Sequence, residues 1–187
     1  MASISLKVFI TPFADKGSEE AAKWSCDSAN EALKQVNTIW QKANVGFVIN
    51  DCIMDRPLDM EKGSRNDDKR LLGVLSLRHD TDSLVHIYLV NAIENLMAGG
   101  SSYPNSDPEP ASFVQWYGNP LANGRAWAHE LGHLMSLDHM KIDYMKEKQA
   151  ALLRNNLMVE GMISGNDLTP KQISQVKGSK LVKRFDG

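Results

Sequence analysis

Residues 129–139 read His129-Glu130-Leu131-Gly132-His133-Leu134-Met135-Ser136-Leu137-Asp138-His139, and three of the chain's five histidines fall inside this window. On a helix, positions 129 and 133 lie one turn apart on the same face, so two imidazoles can reach one cation from one side. Glu130 projects from the next position, near such a cation but badly placed to bind it beside those two. That is the placement a water-activating base needs. His139 follows His133 by six residues. An unbroken helix would carry it about 9 Å further along the axis, too far to share a metal whose bonds are about 2 Å long. The helix therefore has to end between them, with Ser136 as the place where the chain turns back. Three neutral nitrogens leave a fourth position open for water, the mark of a catalytic rather than a closed structural zinc site. One zinc ion held by His129, His133 and His139 is the expectation.

Outward from this window, a helix is expected over much of 120–136. Asn119 can cap it and Pro120 can be its first residue, although Asn123-Gly124 would allow a start one turn later. Further upstream, Ile4, Leu6, Val8 and Ile10 alternate with other residues as a first strand would. Residues 18–43 read as a long amphipathic helix: Ala22, Cys26, Ala29, Leu33, Val36, Trp40 and Ala43 keep spacings of three and four, and Ser18-Glu19-Glu20 suits its start. Val45–Asn50 reads as a strand, 55–69 as an exposed connection, and 67–77 as a short helix. Leu84–Val90 is apolar or aromatic apart from His86, as in an interior strand. The loop-rich stretch 96–120 holds two short strands, Met97–Tyr103 and Ser112–Tyr117. Downstream, a helix within 141–154 precedes one with clear punctuation: Thr169 as cap, Pro170 first, Gln172 third, Leu168 and Ile173 as a staple, and Gly178 at the close.

The whole chain of 187 residues is most simply one domain, long enough to bury a core without staples. Its 42% apolar and 24% charged content is ordinary for a globular protein and argues against disorder or coiled coil. With a net charge of −2 and dispersed Lys and Arg, no basic stripe for nucleic acid stands out. No apolar run approaches a membrane span. The N-terminus lacks the basic flank of a signal peptide. The compartment is left open between cytoplasm, export by a signal-independent route, and a mature fragment with a new Met1. Cys26 and Cys52 can pair in an oxidising compartment or sit reduced in the core.

The pattern His129-Glu130-x-x-His133-x-x-Ser136-x-x-His139 resembles the metzincin signature H-E-x-x-H-x-x-G-x-x-H, with Ser136 in place of the usual Gly. Asn155-Asn156-Leu157-Met158-Val159 resembles the family's Met-turn, with Met158 beneath the metal. Ser164–Pro170 and the helix after it resemble the C-terminal part of matrixin-like members. Glu160 stands where an astacin-like tyrosine would be. The resemblance implies an α+β, zincin-like fold with a twisted mixed sheet and long helices. Residues 1–136 would form an upper subdomain carrying the active-site helix, and 137–187 a small C-terminal subdomain. It also implies a monomeric metalloendopeptidase with Glu130 as general base. A protein or peptide substrate would lie extended along an edge strand within Leu96–Tyr103, at Gly99, Gly100 and Ser101.

Other readings compete. Glu147 or Glu160 could be the third ligand, as in gluzincins, and Asp138 sits one position out of register with His139. A metal-bearing binding or toxin-like module without turnover is the non-enzymatic alternative. Met158 is one of nine methionines, and a buried Met is usually core. His86 reads as a packed core histidine and His79 as surface. The four tryptophans read as packing residues, with Trp116 and Tyr117 as weaker candidates for the cleft wall. Asp107 and Glu109 could bind calcium, but a solvated loop is the default.

Overall fold

The structure, a computed structural model, describes residues 1–15, 18–19, 22–59, 73–75, 84–91, 100–103, 110–141, 153–159 and 165–185. In chain order these form β1 (Ala2–Thr11), β2 (Phe13–Asp15), β3 (Ser18–Glu19), α1 (Cys26–Trp40), β4 (Val45–Met54), β5 (Leu58–Asp59), β6 (Val85–Val90), β7 (Gly100–Tyr103), β8 (Ala111–Gln115), α2 (Pro120–Leu134), α3 (Pro170–Gly178) and α4 (Lys180–Phe185).

Ile4, Leu6, Val8 and Ile10 alternate along β1 and are all buried against the helices, while Phe9 packs with a second cluster that includes Phe13, Tyr88 and Phe113. A strand covered on both sides belongs inside a sheet. β1 accordingly runs parallel to β4 on one side and to β6 on the other. β6 continues parallel to β8, and β7 closes the sheet antiparallel to β8, giving the order β4-β1-β6-β8-β7. β2, β3 and β5 make a separate three-stranded sheet. The architecture is α+β with a mixed sheet. Among the described residues no helix is long and apolar enough to cross a membrane.

The first helix is shorter than its apolar pattern predicts. Ser18 and Glu19 pair with Asp15 and Ala14 instead, and residues 22–25 are not helical. The helix starts after Ser25, whose side chain accepts from the Ser28 N–H while the Ser28 hydroxyl accepts from the Ser25 N–H. This reciprocal cap satisfies two donors that a helix start leaves orphaned. Just before it, the buried Trp24 indole donates to the Val90 carbonyl at 3.1 Å. Ala22 therefore lies outside the helix. At the other end, Gln41–Ala43 form a 3-10 turn and Asn44 is left-handed (φ 62°). Cys26 and Cys52 are joined in a disulfide, which ties the first turn of α1 to β4.

α2 starts at Pro120, with the Asn119 side chain accepting from the Ala122 N–H. Asn123-Gly124 does not delay it. Gly124 is where α1 crosses: a Cβ there would come within 2.6 Å of the Ala32 carbonyl oxygen and of Gln35 Cβ. The helix ends at Leu134, and Ser136 takes a left-handed conformation (φ 69°). The Leu137 N–H reaches back to the Gly132 carbonyl and the Ser136 N–H to the His133 carbonyl, both at 2.9 Å. These two bonds are a Schellman ending, the one in which glycine usually occupies the left-handed position.

The last expected helix is present with its full capping box, Thr169 to Gln172. His86 is buried in β6, edge-on to Phe9. Trp24, Trp40 and Trp127 are buried and Trp116 packs edge-on to Trp24. Residues 73–75 are helical. The rest of the helix expected at 67–77, residues 60–69 of the expected connection, and residues 142–152 lie outside the described residues, as do His79, Asp107, Glu109, Glu147 and Glu160.

Two measurements check this architecture. The disulfide bridges a sequence separation of 26, so reducing it should lower unfolding stability by about 3–4 kcal/mol from lost loop closure; identical denaturation curves with and without reductant would contradict the bond. Ser136→Gly should raise the stability of chelator-treated protein by about 1 kcal/mol, the steric cost of a left-handed L-residue. A loss on urea denaturation would mean that the serine contributes something other than strain.

Candidate metal centre

His129 and His133 lie in the last two turns of α2, one turn apart, and the left-handed Ser136 sends the chain back so that His139 meets them. The three Nε2 atoms are 3.0–3.1 Å from one another. Among the described residues this is the group of His, Cys, Asp or Glu side chains able to share a metal ion. Asp138 is exposed and not part of it.

The other ring nitrogens are committed. His129 Nδ1 lies 2.7 Å from the Leu157 carbonyl oxygen, and His133 Nδ1 lies 2.7 Å from that of Leu137. A carbonyl can only accept, so each Nδ1 carries a proton and each Nε2 of the neutral ring is a bare lone pair. Burial holds both rings towards neutrality: it pushes the His129 pKa down to about 4, against a smaller upward pull from the Leu157 carbonyl, and it lowers that of His133. Two lone pairs facing each other at 3.1 Å are not a hydrogen bond. His139 can lend at most one N–H to such a trio. A cation between the three satisfies all of them. Nitrogens bound tetrahedrally at about 2.0–2.1 Å sit about 3.3–3.4 Å apart, close to the spacing seen. The donor set therefore fits a small, borderline-soft divalent ion.

The C-terminal segment around Met158 packs against the helix that carries His129 and His133. Met158 is fully buried, and a Cβ at Gly132 would come within 2.6 Å of its sulfur, so the thioether lies directly against α2. The Met158 carbonyl accepts from the Met140 N–H, just past His139. Asn156 holds this loop: its Oδ1 accepts from the Met158 N–H, and its amide exchanges two bonds with the buried Gln172 side chain. Gln172 is also the third residue of the α3 capping box, so one side chain serves both the helix cap and the loop.

Glu130 is buried, 4% exposed. Its Oε2 accepts from the Ser102 hydroxyl at 2.7 Å, and Ser102 Oγ lies 2.9 Å from Ser112 Oγ. β7 lies at the edge of the sheet, and Gly100 is its first residue. A Cβ there would collide with the Phe113 carbonyl oxygen and come within 2.8 Å of Glu130 Cγ, so its space is taken from inside the molecule. Gly99 and the Ser101 side chain lie outside the described residues. Ser102 and Ser112 do not stand out in the sequence as site residues. Their signal was period-two spacing: residues 100 and 102 share a face of the strand. The half-buried Tyr117 has its pKa raised by burial and further by the charge of Glu130, while the hydrogen bond from Gln115 pulls it down.

No family model matches the chain, and no curated protein matches it in sequence. Among solved structures, it is similar to the archaemetzincin of Methanopyrus kandleri, with a TM-score of 0.57 and 13% identity over 98% of this chain and 96% of that one. It is also similar to a chain from a chaperone–substrate complex, with a TM-score of 0.51 and 14% identity over 98% of this chain and 39% of that one. At these identities the likeness is one of fold.

The depressed pKa of His129 has a consequence for the metal-free protein. An unfolded histidine takes up its proton near pH 6.5, the folded one only near pH 4. Between those values the unfolded state binds more protons, so this contribution is present above about pH 6.5 and is lost as pH falls towards 4. Chelator-treated protein should denature at lower urea at pH 5 than at pH 7.5, and His129→Gln should flatten that difference. An unchanged pH dependence in the variant would rule out a buried neutral His129.

Proposed function

We propose that this protein is a zinc-dependent endopeptidase of the metzincin type, hydrolysing peptide bonds in proteins with Glu130 as general base. The observation that carries this is the meeting of three imidazole Nε2 atoms, two of them held as bare lone pairs by Nδ1–H bonds to carbonyls, with a buried carboxylate carried on the same helix at the residue after His129. The likeness in fold to an archaemetzincin supports it.

His129, His133 and His139 would hold the ion, with Met158 as the Met-turn residue below them. A bound zinc would lower the pKa of a water molecule and polarise the scissile carbonyl. Glu130 takes the water's proton and hands it to the leaving amine. The open edge of β7 offers main-chain groups to an extended peptide. We assign 1–136 and 137–187 to the upper and lower parts of one monomeric catalytic domain. A matrixin-like form of the lower part, with the capped helix after Thr169 in it, belongs to this proposal. With His139 meeting the other two imidazoles, a third ligand from Glu147 or Glu160 is not needed.

Glu130→Gln is the deciding variant. Gln keeps the size and can still accept a hydrogen bond from a water, but it cannot take its proton. Zinc should remain at about one ion per chain in parent and variant alike. Peptide hydrolysis should fall by at least about 10²-fold, while a chelator abolishes it in the parent and added zinc restores it. Parental cleavage by the Gln variant would remove Glu130 from the mechanism. A parent that cleaves no peptide in a diverse library, yet binds a partner equally well with either residue, would establish a binding module instead. His139→Ala should weaken metal binding; full zinc content in that variant would refute the three-histidine site.

A further inference from the structure

The buried base is gripped by a strand that contributes no metal ligand. Ser102 has one hydroxyl proton, and among its three oxygen neighbours the nearest is Glu130 Oε2 at 2.7 Å; the Glu130 carbonyl oxygen and Ser112 Oγ lie at 2.9 Å. An O–H donor to a carboxylate at this distance makes a charge-assisted bond, about twice as strong as a neutral one. With the Ser102 proton given to Glu130, the proton of the Ser102–Ser112 contact comes from Ser112. Ser112 is fully buried and lies directly opposite Ser102 in the β7–β8 ladder. The order is therefore Ser112 to Ser102 to Glu130. Two residues back on the same face, Gly100 leaves the room that the Glu130 stem occupies.

We infer that Ser102 is the positioning residue of the catalytic carboxylate: its hydroxyl, set by Ser112 behind it, fixes the rotation of the Glu130 head and so decides how that carboxylate meets the water and the leaving amine. The inference rests on the reading of Glu130 as the base. It places the control of that base on the edge strand β7 rather than on the helix that carries it. A peptide that pairs along β7 thus docks on the same strand that holds the base in register.

Ser102→Ala removes the hydroxyl and leaves the strand's backbone intact. In the zinc-loaded enzyme, kcat on a peptide substrate should fall on the order of 10-fold or more, since a misaligned base costs rate directly, while KM stays within about twofold because ground-state binding is untouched. Zinc content should match the parent, and the melting temperature should fall only by the few degrees that one lost buried hydrogen bond costs, with the protein folded at the assay temperature. Ser102→Thr, which keeps the hydroxyl, should recover most of the lost kcat, and Ser112→Ala should give a smaller loss, again in kcat. A crystal structure of metal-free Ser102→Ala should show the Glu130 carboxylate turned away from its parental position. Parental kcat in Ser102→Ala, or a loss of activity that merely follows lost zinc or lost folding, would overturn the assignment. If the parent itself hydrolyses no peptide, the peptidase reading fails separately, and the crystal structure still decides the positioning role: a displaced carboxylate upholds it and an unmoved one refutes it.

Discussion

A chain leaving an α-helix keeps drifting along the helix axis unless one residue reverses its hand, and here that residue is Ser136. Its left-handed backbone lets Leu137 and Ser136 bond back into the last turn of α2. The reversal brings His139 to the two imidazoles of the helix and at the same time carries the Leu137 carbonyl to His133 Nδ1. One backbone conformation therefore supplies a third nitrogen and orients a second. Serine tolerates it at a steric cost on the order of 1 kcal/mol, offset locally by two satisfied main-chain bonds.

The rest of the site is arranged around that reversal. The Met140 N–H, just past His139, bonds the Met158 carbonyl, and the Asn156–Gln172 amide pair holds the Met158 loop from the opposite side. Leu157, in the middle of that loop, turns its carbonyl to His129. The capping box of α3 thus reaches the histidine group in two steps, through Gln172 to Asn156 and through the loop to Leu157. The sheet supplies the other wall. β7 lies at its edge because β8 is flanked by β6 on its far side, and β8 brings Ser112 beneath Ser102.

Much of this was legible because it depends on local chemistry. The spacing of residues 129, 133 and 139 forces a helix followed by a reversal, and nothing but the reversal makes His139 useful. Asn119-Pro120 and Thr169-Pro170-x-Gln172 carry their helix starts within a few residues. The start of the first helix is not legible in the same way, because Ser18-Glu19-Glu20 and the apolar spacing through Ala22 are compatible with a helix. A better cap at Ser25 and strand pairing by Ser18 and Glu19 compete with it. Asn123-Gly124 looked like a weak start because glycine costs helix stability; the close crossing of α1 outweighs that cost. Period-two spacing puts Ser102 on the face of Gly100, but its partner lies 28 residues away across a strand–helix contact, which local chemistry does not reveal.

The two acceptors that orient His129 and His133 are main-chain carbonyls, not carboxylates. A carboxylate behind an imidazole draws the ring towards imidazolate and passes negative charge to whatever the ring binds. A carbonyl fixes the tautomer without doing so. Neutral donors of this kind would leave a divalent ion with its double charge nearly undiluted, so its field would be felt at an open coordination position. The same acceptors are beyond the reach of side-chain substitution at 137 and 157. The tautomers of these two rings are thereby set by the backbone, where a substitution can displace the acceptors but cannot turn them into charged ones.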